Sequence, residues 1–250
     1  MRTFLADIGN SSIKLGSIQP TLIETALCKP QWSLNIDALS SVDWGVEPTQ
    51  WYCVSVNPPA LNKLQELIHA HRPEDRIRVI ELADFDLPVR VKEPRRLGLD
   101  RAAAAAAAAR LKAPDSAAIV IDVGTATTID AVSVQGEFLG GAILGSPGLV
   151  LRALHSQTEA LPRVSIDSLD TAPEAIGRCT EEALQSGAYW GQVGAIHQLI
   201  KNYQPVLGST IEVFLCGGGS SLIASHLDVP SRVVPGLVLA GLSTVAHPVP

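Results

Sequence analysis

The chain has 250 residues and a mass of 26.4 kDa, enough for one large domain or two modest ones with a real core. With 46% hydrophobic and 18% charged residues it is not a disordered or solvating chain. Lys and Arg number 19 against 25 Asp and Glu, a net charge of −6 with no basic tract, so an electrostatic nucleic-acid binder is not expected.

Thr3–Ile8 and Ser12–Ile18 read as two strands joined by the turn residues Gly9-Asn10-Ser11. Trp51–Val56 reads as a strand, and Pro58-Pro59 opens a helix over Ala60–His71 with Leu61, Leu64, Leu67 and Ile68 on one face. Arg78–Leu82 follows as a strand, and the prolines make Pro88–Pro94 extended. Eight consecutive alanines make Leu99–Lys112 a helix by propensity, ended by Pro114. The second half restarts the same plan. Ala117–Asp122 is a buried strand, Gly124-Thr125-Ala126 a turn, Thr127–Val134 a return strand and Phe138–Leu144 a third. Helices are expected at Leu149–Leu161 and Pro173–Asn202, the second with a kink near Gly187 or Gly191. Thr210–Cys216 is the last strand, Gly217–Gly219 a turn and Leu237–Ala246 the closing helix. No apolar run reaches the 18 residues a membrane span needs, and Asp7, Gly9 and Asn10 interrupt what would otherwise pass for a leader. The four cysteines are scattered without a CxxC pair, which reads as buried free thiols of a cytoplasmic protein.

The informative feature is a repeat. One apolar strand ends in Asp7-Ile8-Gly9-Asn10-Ser11, and 115 residues later another ends in Asp122-Val123-Gly124-Thr125-Ala126. Either element alone is an ordinary strand end, because Asp and Gly are common turn residues. The pair suggests a duplicated fold, divided near Ala113-Pro114, with both turns facing one cleft. Backbone N–H groups beside a glycine cradle a phosphate, and a carboxylate at a strand end can hold a hydrated Mg²⁺ with the phosphate oxygens. Gly98-Leu99-Asp100-Arg101 opens the alanine helix. A carboxylate held there beside a guanidinium is costly unless it has a task, such as taking a proton while the arginine holds an anion. Gly217–Gly219 reads equally as a platform for a base or ribose and as a plain strand-to-helix turn.

These segments resemble the type III pantothenate kinases, of the actin, Hsp70 and sugar-kinase superfamily. Asp7–Lys14 resembles that family's first nucleotide motif, Gly98–Arg101 its Gly-x-Asp-Arg, and Asp122–Asp130 its second phosphate motif. Gly140-Gly141-Ala142-Ile143, Thr158 with Leu161-Pro162, Thr180 with Gln185-Ser186-Gly187, Cys216–Gly219 and Val234-Pro235 with Leu242 follow in the family's order. The resemblance implies an α/β, duplicated actin-like (ribonuclease H-like) fold with lobes at 1–113 and 114–250 and a nucleotide cleft between them.

The activity it implies is ATP-dependent phosphorylation of pantothenate to 4′-phosphopantothenate, the first step of coenzyme A biosynthesis. ATP would lie against Asp7, Ile8, Gly9, Asn10, Ser11, Ser12, Ile13, Lys14 and Thr125. Gly98, Leu99, Asp100, Arg101 and Thr180 would hold pantothenate, with Asp100 taking the proton of its hydroxyl; Thr180 reads nearly as well as a helix residue bonding the preceding turn. Asp122 would hold a monovalent cation, K⁺ or NH₄⁺, with Mg²⁺ accompanying the nucleotide. The family also implies a cytoplasmic homodimer, with neither nucleic acid nor membrane as partner.

Two positions depart from the family pattern. Val91 stands where the family has a substrate-contacting tyrosine, and Gly145-Ser146 where it has Pro-Gly, although Pro147-Gly148 follows directly. The alternatives are a non-catalytic nucleotide-binding accessory protein and a kinase for another small hydroxyl compound, the latter favoured by Val91.

Overall fold

In the computed structural model, which describes residues 2–18, 32–34, 45, 47–166 and 171–246, the first apolar run is strand β1 (Arg2–Ile8), buried from Phe4 onward. Strand β2 (Ile13–Ile18) returns antiparallel to it, and β3 (Trp32–Leu34) pairs with β2. Strand β4 (Thr49–Ser55) lies parallel to β1 on its other side and β5 (Arg76–Val79) parallel to β4. A parallel connection needs a crossover, and helix α1 (Pro58–His71) supplies it between β4 and β5. The sheet order is β3-β2-β1-β4-β5. Its core joins Phe4, Ala6 and Ile8 of β1 and Trp51 and Cys53 of β4 to Leu64 and Ile68 of α1, with Leu61 and Leu67 partly buried beside them.

The second sheet repeats this plan with β6 (Ala117–Val123), β7 (Ala126–Val132), β8 (Phe138–Gly145), β9 (Ile211–Cys216) and β10 (Ser231–Val233) in the order β10-β9-β6-β7-β8. Strand β6 is central like β1, antiparallel to β7 and parallel to β9, and β10 is parallel to β9. The repeat expected from two short turn motifs is therefore a repeat of whole-sheet topology. Alternate residues Ala117, Ile119, Ile121 and Val123 of β6 meet Tyr189, Val193, Ile196 and Ile200, one face of helix α4 (Thr180–Leu207).

The remaining helices are α2 (Leu99–Leu111), α3 (Pro147–Gln157), α5 (Ser220–Ala224) and α6 (Leu237–Ala246). Two compact units result: Met1–Leu111 with Gly136–Phe138 and Val234–Pro250, and Lys112–Gln135 with Leu139–Val233. The chain thus first passes between units at Leu111-Lys112, two residues before Ala113-Pro114, and crosses again around Gly136–Phe138 and before Val234, so that its last helix belongs to the first unit.

The alanine run acquires its reason there. Ala102 through Ala108 are all buried, and α6 packs on α2 so closely that a Cβ on Gly241 would overlap the backbone carbonyl of Ala103. Small side chains on both helices permit that backbone-to-backbone approach. Gly241→Ala should therefore cost about 1–3 kcal/mol through overpacking, and Gly241→Val more. Denaturant midpoints of the two variants, falling in that order, check this.

Several boundaries differ from expectation. Helix α3 starts at Pro147, capped by Ser146, and ends at Gln157, where Thr158 turns extended. Helix α4 starts at Thr180 rather than Pro173, with Glu181 and Glu182 in its first turn, as the helix dipole favours. The strand read at Arg78–Leu82 lies at Arg76–Val79, and Leu82–Asp84 forms a single 3₁₀ turn. Cys53 and Cys216 are buried as expected, but Cys179 is exposed; Cys28 lies outside the described residues. Burial pushes the Cys53 thiol up to about 12, which removes it as a thiolate nucleophile. Among the described residues no helix is long and apolar enough to cross a membrane.

Candidate active site

Three of the sequence motifs sit at places where the backbone is held by identifiable bonds. In the first unit, β1 ends at Asp7-Ile8 and a four-residue loop, Gly9 to Ser12, leads into β2. The Gly9 N–H donates to the Ser12 carbonyl at 3.1 Å, and the Asn10 and Ser11 side chains are exposed. Asp7 lies opposite Lys14 in the strand register, and the Lys14 ammonium stands 3.5 Å from its buried carboxylate. A buried carboxylate needs such a partner, so this motif carries its own counter-charge. Beside it, Ile8 pairs with Ser55 at the carboxyl end of β4, and Val56 N–H donates to the Ile8 carbonyl at 3.2 Å. Next comes Asn57, whose Nδ2 donates to the Gly9 carbonyl at 3.4 Å while its Oδ1 accepts the Ala60 N–H at 3.2 Å and caps α1.

Also in the first unit, Asp100 and Arg101 occupy the first turn of α2, both half-buried. The Asp100 carboxylate folds back over the helix start and accepts the Arg101 N–H at 2.8 Å. A Cβ on Gly98 would lie 2.6 Å from Asp100 Oδ1, so glycine leaves the space the carboxylate occupies. The Arg101 guanidinium rests over the Phe138 ring, 5.6 Å from its centroid, a cation–π contact. Phe138 is wholly buried and pinned to the extended segment before α2: its N–H donates to Pro88 O at 2.8 Å, and Arg90 N–H to its carbonyl at 2.9 Å.

In the second unit, β6 ends at Asp122-Val123 and a two-residue turn, Gly124-Thr125, leads into β7. Gly124 and Thr125 are exposed. Cys216, the last residue of β9, pairs with Asp122 in parallel register. Gly217 follows with φ +85°, and any side chain there would overlap Asp122 Oδ1 and the Val123 carbonyl; glycine alone meets both demands. The Gly219 N–H donates to Val123 O at 3.2 Å. The glycine turn is thus bound to the end of β6, and its first purpose is to close over Asp122-Val123. On the other side, Ser146 Oγ donates to the Thr125 carbonyl at 2.8 Å and accepts the Leu149 N–H at 3.2 Å. Thr180 is the exposed first residue of α4.

The structure therefore brings Asp7 to Lys14, Gly98 to Asp100 and Arg101, and Asp122 to Gly217. Both Asp-x-Gly turns stand at the carboxyl ends of parallel strand pairs, where open α/β sheets bind ligands. Asn57 and Phe138 were not singled out by the sequence, and Ser146 only as part of the Gly145-Ser146 departure from the family pattern, not as a residue that bonds a turn. A signal existed for two of them: Asn57-Pro58 and Ser146-Pro147 are both a capping residue followed by proline at the first helical position. Among the described residues no three His, Cys, Asp or Glu cluster as metal ligands. The carboxylates present suit an ion held jointly with a ligand's phosphate oxygens.

A family model for type III pantothenate kinases matches residues 3–202. The type III pantothenate kinase of Dehalococcoides mccartyi strain CBDB1 is 32% identical over 251 residues, covering 94% of this chain and 92% of that protein. That of Sphingopyxis alaskensis is 35% identical over 189 residues, covering 75% and 72%. Among solved structures, the acetate kinase of Porphyromonas gingivalis matches with a TM-score of 0.52 at 12% identity, covering 98% of this chain and all of that one. At that identity the likeness shows the fold, which is the actin-like fold of acetate and sugar kinases.

Proposed function

Because this chain belongs to the type III pantothenate kinase family, we propose that it transfers the γ-phosphoryl group of ATP to the hydroxyl of pantothenate, giving 4′-phosphopantothenate. The observation that carries the reading is the Gly98–Arg101 segment, where a glycine makes room for a carboxylate folded over a helix start and an arginine is seated on a buried ring. Asp100 takes the proton of the acceptor hydroxyl, and Arg101 faces the acceptor's own carboxylate. Phosphoryl transfer has a loose transition state, so holding the hydroxyl in line matters as much as the basicity of Asp100. The loop from Asp7 to Lys14 and the Gly124-Thr125 turn hold the nucleotide's phosphates, and Lys14 adds a positive charge. Thr180 contributes to the pantothenate side.

Mg²⁺, bound with ATP, neutralises phosphate charge. Asp122 fits a monovalent cation, because its carboxylate and the Val123 carbonyl bring two oxygen atoms together at the end of β6, against Gly217. Turnover should then be severalfold higher in K⁺ or NH₄⁺ than in Na⁺ alone at fixed Mg²⁺, and equal rates in the three salts would remove the ion from Asp122. We further take the chain to act as a homodimer in the cytoplasm, and light scattering of the purified protein checks the dimer.

The direct test is ATP consumption over a panel of small hydroxyl compounds that includes pantothenate. Turnover on pantothenate above all others supports the proposal. Preference for another acceptor would follow from Val91, and nucleotide binding without turnover would make the chain an accessory protein.

A further inference from the structure

We infer that Ser146 and Asn57 are positioning residues that aim the two phosphate turns, a role beyond capping their helices. Ser146 is buried, with only 6% of its surface exposed. Its hydroxyl accepts from Leu149 N–H at the start of α3 and donates to the Thr125 carbonyl. Asn57 does the same in the other unit: its Oδ1 caps α1, and its Nδ2 donates to the Gly9 carbonyl. Capping requires only the acceptor half of each arrangement. The donor half is unexplained by the helix, and in both units it ends on a carbonyl of a phosphate motif.

A peptide unit is planar, so fixing a carbonyl fixes the direction of the N–H on the same plane. Holding Gly9 O aims the N–H of Asn10, and holding Thr125 O aims that of Ala126 and sets the Gly124-Thr125 turn. Donors aimed before the anion arrives need no reorganisation on binding. The two units thus use one device on unrelated side chains, an amide in one and a hydroxyl in the other. At 2.8 Å the Ser146 bond is the stronger, and at 3.4 Å the Asn57 bond is the weaker.

The inference rests on the reading that these turns hold ATP. Its test uses the full chain with affinity for a non-hydrolysable ATP analogue by calorimetry, steady-state kinetics and melting temperature. Ser146→Ala loses cap and donor together, Ser146→Gly loses the donor while glycine still caps, and Ser146→Thr keeps both. We expect Ser146→Ala and Ser146→Gly to weaken the analogue alike, by about fivefold, with the KM for pantothenate unchanged. Melting temperature should fall mainly in Ser146→Ala, and Ser146→Thr should restore affinity. Asn57→Gly should weaken the analogue by about twofold, as the longer bond implies. Wild-type analogue affinity in Ser146→Gly would make Ser146 a plain helix cap, and the same result in Asn57→Gly would do so for Asn57. A wild-type protein that binds no analogue would instead overturn the functional reading, and this inference with it.

Discussion

Asp100→Asn should lower turnover by roughly a hundredfold to ten-thousandfold, the usual cost of losing a positioned general base, with folding and nucleotide affinity intact. The asparagine has the same size, and its amide oxygen can still accept the Arg101 N–H that Asp100 accepts at 2.8 Å. The first turn of α2 therefore keeps its bond and the space beside Gly98 stays filled. What disappears is the negative charge that, in the proposed reaction, orients the acceptor hydroxyl and receives its proton. Nucleotide affinity should survive because Asp7, Lys14 and Thr125 lie in other elements, β1, β2 and the β6–β7 turn. The measurement is turnover and ATP affinity of the purified variant, with melting temperature as a control. Near wild-type turnover in a folded variant would remove Asp100 from the chemistry. Lost ATP affinity with normal folding would move it to the nucleotide side.

What the sequence made legible follows from the range of the forces involved. The two Asp-x-Gly hairpins are specified locally by turn chemistry and apolar runs, and both were placed within two residues of the observed strands. Strands β3 and β10 have three residues each, too few to show a period of two. Pro173 looked like a first helical residue, but α4 begins only at Thr180; between them a Cβ on Gly177 would overlap the Ala183 N–H, so that glycine is folded onto the helix start. The alanine run revealed a helix and hid its purpose, because the glycine that needs those alanines is Gly241, far along the chain. The site divides in the same way. Gly98–Arg101 and the two Asp-x-Gly turns are contiguous motifs visible in the sequence, whereas Phe138 meets Arg101, and Ser146 meets Thr125, only through tertiary contact.

Asp75→Ala should destabilise the first unit by about 3–5 kcal/mol, the usual cost of breaking a buried ion pair by removing one partner. The Asp75 side chain is 1% exposed and accepts four bonds: Thr49 N–H at 2.9 Å, Trp51 Nε1 at 2.8 Å, and Arg72 Nε and Nη2 at 2.5 and 3.1 Å. Arg72 also donates to the Gly45 and Glu47 carbonyls, so one carboxylate ties the start of β4 to the turn between α1 and β5. Truncation would leave the Trp51 and Thr49 donors without an acceptor and the guanidinium without its counter-charge. Such a loss is a large part of the roughly 5–15 kcal/mol that holds a domain folded. The acid limb should change as well. Burial raises the Asp75 carboxyl, but the bonds from Arg72, Trp51 and Thr49 outweigh it and hold the group below its ordinary value. Its contribution is therefore complete above the ordinary carboxylate range and is lost as pH falls through the lower folded value. Wild-type denaturant midpoints should drop on acidification below about pH 4, and Asp75→Ala should lack that part of the slope. The network sits at the amino end of β4, whereas Ser55, beside Ile8, is at the carboxyl end. In the cold, where the variant stays folded, nucleotide affinity should match wild type. An unchanged midpoint at pH 7 would show that the network adds nothing, and lost affinity in a folded variant would mean the two ends of the strand are coupled.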